Sequence, residues 1–296
     1  MTTYKAPIED MMFLFREFMD NKHFIEIEEY KDVNDDLVQS ILNEAAKITE
    51  NIVFPLAKSG DDHGCKLENG IVYTPPGYKE AYKKFISDGW TSLACDPSYG
   101  GQGLPKSVSI FFDEMMSSAS LSFKLYSELS HGAYNCIYFH GSEEIKNRYL
   151  SKMVQGKWSG TMCLTESHCG TDLGILKTKA LLQSDSTYKI TGQKIFITSG
   201  DHDLTENIIH LVLARLPDSP MGTKGISLFL VPKFNVKEDG TIGTRNGVST
   251  GSIEHKMGIK GSATCVLNFD EANGYLIGEA NKGLNAMFTM MNLERI

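Results

Sequence analysis

The densest run of residues able to do chemistry lies between Tyr149 and Leu173. There Thr161, Thr165, Ser167 and Thr171 supply hydroxyls, and Gly170 lets a ligand come close to the backbone. Such a run makes a hydrogen-bonding rim where helical texture gives way to strand texture, a preferred place for a bound small molecule. A linker with capping residues explains the same hydroxyls, and the residues alone leave both readings open. His168 and Cys169, with Cys163 nearby, invite a metal site. Zinc wants four convergent ligands and no second pair stands at a suitable spacing, so no metal is expected and these side chains read as packing or rim groups. His131 and His140 sit in an apolar helical stretch and read as core or surface histidines. The six cysteines are scattered without CxxC pairs and read as small core residues.

A second glycine cluster runs from Cys95 to Pro105 as CDPSYGGQGLP. It matches neither GxGxxG nor GxxxxGK and follows no strand pattern, so a tight turn is expected rather than a phosphate cradle.

These residues need elements to hold them. From Ile8 to about Asn147 apolar residues recur at helical spacing, as in Met11, Leu14, Phe15 and Phe18, then Leu37, Ile41, Leu42 and Ala45. Asn34 or Asp35 suits an N-cap, Pro7 a first turn and Pro55 a kink or an end. The stretch from Gly64 to Tyr78 reads as a connection between helices. After Trp158 the texture changes to short runs rich in β-branched and aromatic residues, bounded by Gly, Pro, Asn and Asp. No useful helix interrupts them, so an antiparallel barrel or sandwich is expected. Leu284, Met287, Phe288 and Met291 then mark one face of a further helix. No terminator precedes Ile296, so that pattern reads as interrupted within a helix.

The fold class expected is therefore α+β and multidomain: an all-α helical domain over 1–158, an antiparallel β-barrel or sandwich domain over 159–277, and the start of a C-terminal helical bundle over 278–296. A chain of 296 residues, 41% hydrophobic, can bury two cores. Its formal net charge of -8 disfavours a nucleic-acid partner. No apolar run approaches the ~18 residues of a membrane span, and the N-terminus lacks a signal-peptide pattern, so a cytoplasmic protein is expected.

The segment Thr165-Glu166, Ser167-His168-Cys169-Gly170 and Thr171-Asp172 resembles the flavin-binding signature of the acyl-CoA dehydrogenases. Three further blocks resemble the same family in order: the loop from Gly89, GQKIFITSG from Gly192 to Gly200, and the run from Ile253 into the last helix. Within the family the chain resembles the large bacterial subgroup that includes methylmercaptopropionyl-CoA and some long-chain acyl-CoA dehydrogenases.

The resemblance implies FAD as cofactor and an acyl-CoA thioester as substrate, in reactions of the fatty-acid β-oxidation type. It assigns the cofactor to Met162, Cys163, Leu164, Thr165, Gly170, Thr171, Phe196, Ile197 and Thr198, with Thr165 bonding the isoalloxazine ring. Thr171, Asn292 and Arg295 fall at substrate positions. Met162, Ser167-His168 and Phe196 depart from the commoner pattern of an aromatic residue, a Pro-Gly pair and a tryptophan. The implied reaction is α,β-dehydrogenation to a trans-2-enoyl-CoA, with electrons passed to an electron-transfer flavoprotein by a homo-oligomer, a dimer or a tetramer.

The catalytic glutamate of relatives lies in the C-terminal helical domain, so no catalytic residue is assigned here. Glu128, Glu166 and Glu294 are the substitutes within the chain, and nothing in the sequence singles one out. The chain alone is expected to bind FAD weakly and not to complete dehydrogenation. Two other readings stay open, an acyl-CoA oxidase and a non-catalytic flavin and acyl-CoA binding paralogue.

Overall fold

The computed structural model describes residues 3–19 and 21–295. Its first half contains α1 (Ile8–Phe13), α2 (Asp35–Ile48), α3 (Phe54–His63), α4 (Tyr78–Ser87), α5 (Lys106–His140) and α6 (Glu143–Val154). Asn34 caps α2, its side-chain oxygen accepting from the Leu37 N–H at 2.9 Å. The apolar stripes lie slightly rotated from those expected. Met11, Met12 and Phe15 are buried while Leu14 and Phe18 are exposed, because the chain widens into a π-turn over Leu14–Phe18 and loses the regular period. Val38, Leu42 and Ala45 are the buried stripe of α2, with Leu37 outside it. Another π-turn, Thr49–Val53, joins α2 to α3, and Pro55 occupies the first turn of α3, where its missing N–H costs nothing.

One correction and one further feature mark the helical half. The connection from Gly64 to Tyr78 holds a hairpin, β1 (Lys66–Glu68) with β2 (Ile71–Tyr73). Asn69 and Gly70 turn it at φ 53° and 75°, the left-handed pair a two-residue hairpin needs. The long helix α5 is broken at Ser120, with φ -161° and ψ 93°.

The second half is a sheet that closes on itself. Its strands are β3 (Trp158–Cys163), β4 (Lys179–Leu182), β5 (Tyr188–Thr198), β6 (Asn207–Arg215), β7 (Ile226–Pro232), β10 (Val248–Ile253) and β11 (Thr264–Ile277), with a separate hairpin of β8 (Phe234–Val236) and β9 (Ile242–Arg245). Strands β11, β5, β4, β6 and β7 pair in a ring, since β7 joins both β6 and β11; β10 and β3 are added outside it. The barrel is as expected, but it is not wholly antiparallel. From Trp158↔Asn207 to Cys163↔Val212, β3 runs parallel to β6, and β4 meets β6 in parallel at Lys179↔Arg215. The β4–β5 excursion between β3 and β6 supplies the long crossover that a parallel pair requires.

A core shared between the halves contains Tyr149, Leu150, Trp158, Ile209, Leu211, Met287 and Met290. The last two come from α7 (Gly283–Leu293), which packs against α5. The buried face of α7 is Gly283, Ala286, Met287 and Met290, not the expected set with Phe288, which is exposed. Gly283 sets this rotation: a Cβ there would stand 2.3 Å from the carbonyl carbon of Ser227, so only glycine lets α7 start against β7. Ile296, where the helical pattern was expected to be interrupted, lies outside the described residues. Among the described residues no helix is long and apolar enough to cross a membrane.

Candidate functional site

The hydroxyl-rich segment leaves the end of β3 and folds into a tight turn, in which the Glu166 N–H donates to the Cys169 carbonyl at 2.8 Å and the Cys169 N–H to the Glu166 carbonyl at 3.0 Å. The turn is tied to β5. The Ile195 N–H donates to the Thr165 carbonyl at 2.9 Å, and Lys194 Nζ donates to the Leu164 carbonyl at 2.9 Å and to Glu166 Oε1 at 2.8 Å. The two segments singled out in the sequence, Met162–Thr171 and Phe196–Thr198, therefore form one surface.

A bulge shapes its β5 side. Lys194 stands opposite Leu267 and Ile197 opposite Cys265, so Ile195 and Phe196 share the space of one partner. Phe196 takes φ 59°, an uncommon conformation for a bulky residue, and the residue is 58% exposed. The strain turns an aromatic plane out of the sheet.

Within this surface the expected residues divide. Cys163 and Ile197 send their side chains into the barrel core, leaving only backbone for a ligand. Met162 and Leu164, on the opposite side of the chain, are partly covered by the core shared with the helices. Gly170 and Thr171 are exposed, and a Cβ at Gly170 would meet only a Thr165 methyl at 3.5 Å, so protein packing does not demand glycine there. Asn292 and Arg295 lie on the exposed end of α7, where Arg295 Nη1 donates to Asn292 Oδ1 at 3.3 Å.

Glu166, His168 and Cys169 gather ligand atoms within 4.8 Å. Glu166 is already engaged: Oε2 accepts from the Lys177 N–H at 2.7 Å, and Oε1 from the Thr178 N–H at 3.0 Å and hydroxyl at 2.6 Å, besides Lys194. Burial pushes this carboxyl up, but Lys194 and these donors outweigh it and hold Glu166 below the usual carboxylate range. Lys194, with its side chain fully buried, is lowered by burial that Glu166 only partly offsets. Sequence reasoning missed Lys194; its place two residues after Gly192 in the second segment was the available signal.

The turn from Cys95 to Pro105 is closed on itself. Asp96 accepts from the Ser98 N–H at 2.7 Å and from the Tyr138 hydroxyl at 2.6 Å, and a Cβ at Gly101 would stand 1.9 Å from the Cys95 carbonyl oxygen. It is a packed turn in which Gly101 lies too close to the Cys95 carbonyl for any side chain.

Beside it, α5 and the end of α7 enclose a cavity of about 410 Å³, lined by Trp90, Phe112, Met116, His131, Gly132 and Glu294 among others. Among the three carboxylates weighed from the sequence, Glu166 is saturated and Glu128 is held by Lys124 at 2.6 Å. Only Glu294 lacks a partner among the described residues: its Oε1 is buried without a hydrogen bond, in a notch that Gly132 leaves open, where a Cβ would come within 2.4 Å. Burial first, then the charge of Glu128, pushes its carboxyl up to about 8. His131, on the same wall, is lowered by burial to about 4 and stays neutral.

Residues 35–157 match the family profile "acyl-CoA dehydrogenase, N-terminal domain" and residues 161–272 match "acyl-CoA dehydrogenase, middle domain". The chain is 44% identical over 293 residues to the 3-methylmercaptopropionyl-CoA dehydrogenase of Ruegeria pomeroyi, an alignment that covers 99% of this chain and 50% of that protein. It is 41% identical over 306 residues to a butyryl-CoA dehydrogenase of Syntrophomonas wolfei, with the same coverage. Among solved structures, the butyryl-CoA dehydrogenase of Megasphaera elsdenii superposes with a TM-score of 0.71 at 28% identity, over 88% of this chain and 63% of that one. The chain thus spans about half the length of the curated relatives it matches. With a helical half and a barrel half that match in order, and the two segments joined at their junction, the chain belongs to the acyl-CoA dehydrogenase family.

Proposed function

We propose that this chain carries the flavin and acyl-thioester site of an FAD-dependent acyl-CoA dehydrogenase that forms trans-2-enoyl-CoA. The observation that supports this most is the joined surface of Thr165 and Phe196. On it the hydroxyls of Thr165, Thr171 and Thr198 have no hydrogen-bond partner among the described residues, and the Phe196 ring stands exposed at a strained position. Unpaired hydroxyls and an outward aromatic plane fit the polar edge and flat face of an isoalloxazine. When bound, FAD supplies the hydride acceptor.

The residues of the chain do the rest. Thr165 and Thr198 would hold the cofactor ring by hydrogen bonds, Phe196 would pack against it, and Met162 and Leu164 would supply apolar contact. Gly170 gives backbone access, and Thr171 faces both cofactor and thioester. Asn292 and Arg295 serve the substrate at the end of α7. A carboxylate would take the α-hydrogen of the thioester as a proton and, with the β-hydrogen passing as a hydride to the acceptor that FAD would supply, two C–H bonds would give one C=C bond. The three-part division at 158/159 and 277/278, a homo-oligomeric state, a cytoplasmic location and an electron-transfer flavoprotein as acceptor belong to the same proposal.

A second reading concerns the carboxylate. The sequence placed it outside the chain, but Glu294 is a carboxyl with an unpaired oxygen on a cavity wall, raised to about 8, close to where a general base works best at neutral pH. Titration of the purified chain with FAD, then with acyl-CoAs of several lengths, tests the main proposal: a yellow protein whose flavin spectrum responds is expected, and absence of FAD binding refutes it. Washout of deuterium from an α-deuterated acyl-CoA tests the base. Exchange that disappears in Glu294→Gln places the base at Glu294; no exchange in the parent chain places it elsewhere. Reoxidation of reduced flavin by oxygen at a rate matching turnover favours an oxidase, and binding without reduction favours a non-catalytic paralogue.

A further inference from the structure

We propose that the buried Glu166–Lys194 pair is a positioning clamp, which sets the spacing between the Thr165 turn and the Phe196 bulge and contributes little to holding the barrel together. The inference rests on the flavin reading above. Each member of the pair is adjacent in sequence, or nearly so, to a residue of the proposed cofactor surface: Glu166 follows Thr165, and Lys194 precedes the bulge of Ile195 and Phe196. The Lys194 side chain is 0% exposed and that of Glu166 5%, with Nζ and Oε1 2.8 Å apart.

The bonds of the cluster tie separate stretches of chain together. Lys194 spans from β5 to the Leu164 carbonyl and to Glu166; Glu166 in turn collects the Lys177 and Thr178 amides and the Thr178 hydroxyl. Five bonds thus converge on two side chains and lock three separate stretches of chain, 164–166, 177–178 and 194. A buried ion pair is weak support for stability, because desolvating two charges offsets most of their attraction, and a neutral pair of similar shape often holds a fold equally well. What the neutral pair loses is the fixed distance and direction of the bonds.

The test is the double variant Glu166→Gln/Lys194→Met in the full chain, compared with the parent for unfolding midpoint, FAD dissociation constant and flavin absorption spectrum. The expected result is a folded protein with a midpoint near the parent's, FAD binding weakened about tenfold or more by loss of alignment, and altered flavin band structure. Thr178→Val, which removes one bond to Glu166 and leaves the ion pair, is expected to give a smaller shift in the same direction. Parent-like FAD affinity and spectrum in a folded double variant overturn the clamp while leaving the flavin reading intact. A double variant that does not fold overturns it as well, because the pair then serves the fold. Failure of the parent chain to bind FAD removes the reading beneath the clamp and the clamp with it.

Discussion

Replacing Glu294 by glutamine is expected to remove a pH-dependent loss of stability. The carboxyl is raised from 4.5 to about 8 by burial and by Glu128, while in the unfolded chain it titrates near its ordinary value. Between these values the unfolded form releases the proton first, so stability is fully present below pH 4.5 and is lost progressively as the pH rises to about 8. At about 1.36 kcal/mol per pH unit the upper bound is ~5 kcal/mol. Partial solvent access to the side chain lowers this, and we expect about 2–3 kcal/mol in a protein where such sites relax and admit water. Chemical denaturation of parent and variant at pH 5 and at pH 9 measures it. The difference in unfolding free energy should shift toward the variant by that amount between the two values, since the other titrating groups are common to both. A constant offset comes from fitting an amide against Gly132, and it cancels in the comparison. A difference that does not change with pH refutes the argument that Glu294 is held neutral by its surroundings.

Gly132→Ala should destabilise by about 1–3 kcal/mol, because its methyl would overlap Glu294 Oε1 and crowd Met290 Cγ at 2.9 Å; thermal unfolding reports it. Phe196→Gly should stabilise the cofactor-free chain by about 1 kcal/mol by relieving a left-handed phenylalanine, while weakening FAD binding, and a variant that loses stability contradicts the strain. His202 and His210 are held neutral by burial at about 4 and about 3, so stability present above pH 6.5 is lost as the pH falls toward 4 for His202 and toward 3 for His210. His210→Gln should reduce that acid slope in denaturation curves by up to ~1.36 kcal/mol per pH unit.

The order of helices and strands was legible because each half keeps one period over long stretches, and Asn34 announced its helix by residue type alone. The hairpin at Asn69-Gly70 was equally legible in its turn residues, but three-residue strands carry too little alternation to stand out. Other features depend on neighbours distant in the chain. The bulge at Ile195-Phe196 exists only because β11, some seventy residues later, slips in register there. Lys194 reads as an ordinary lysine until Glu166 is placed beside it, and Glu294 as a surface acid until Gly132 opens its notch. Ser120 breaks α5 without a proline or glycine to mark the place, its neighbour Ser122 being bonded to Tyr78 from α4 at 2.8 Å. The two segments proposed for the cofactor were picked out by family resemblance; the surface they share was not legible in the sequence.

Strand β11 pairs at one end with β5 and at the other with β7, and so both closes the ring and dictates the register at Phe196. The ring therefore depends on pairing between distant parts of the chain. Contacts such as Thr198 with Thr264 join residues far apart in the chain, and a fold rich in such contacts is expected to form slowly. Pairing with β11 fixes where β5 bulges and Phe196 turns outward, so under the proposed function a chain whose ring is open would lack the shaped cofactor surface.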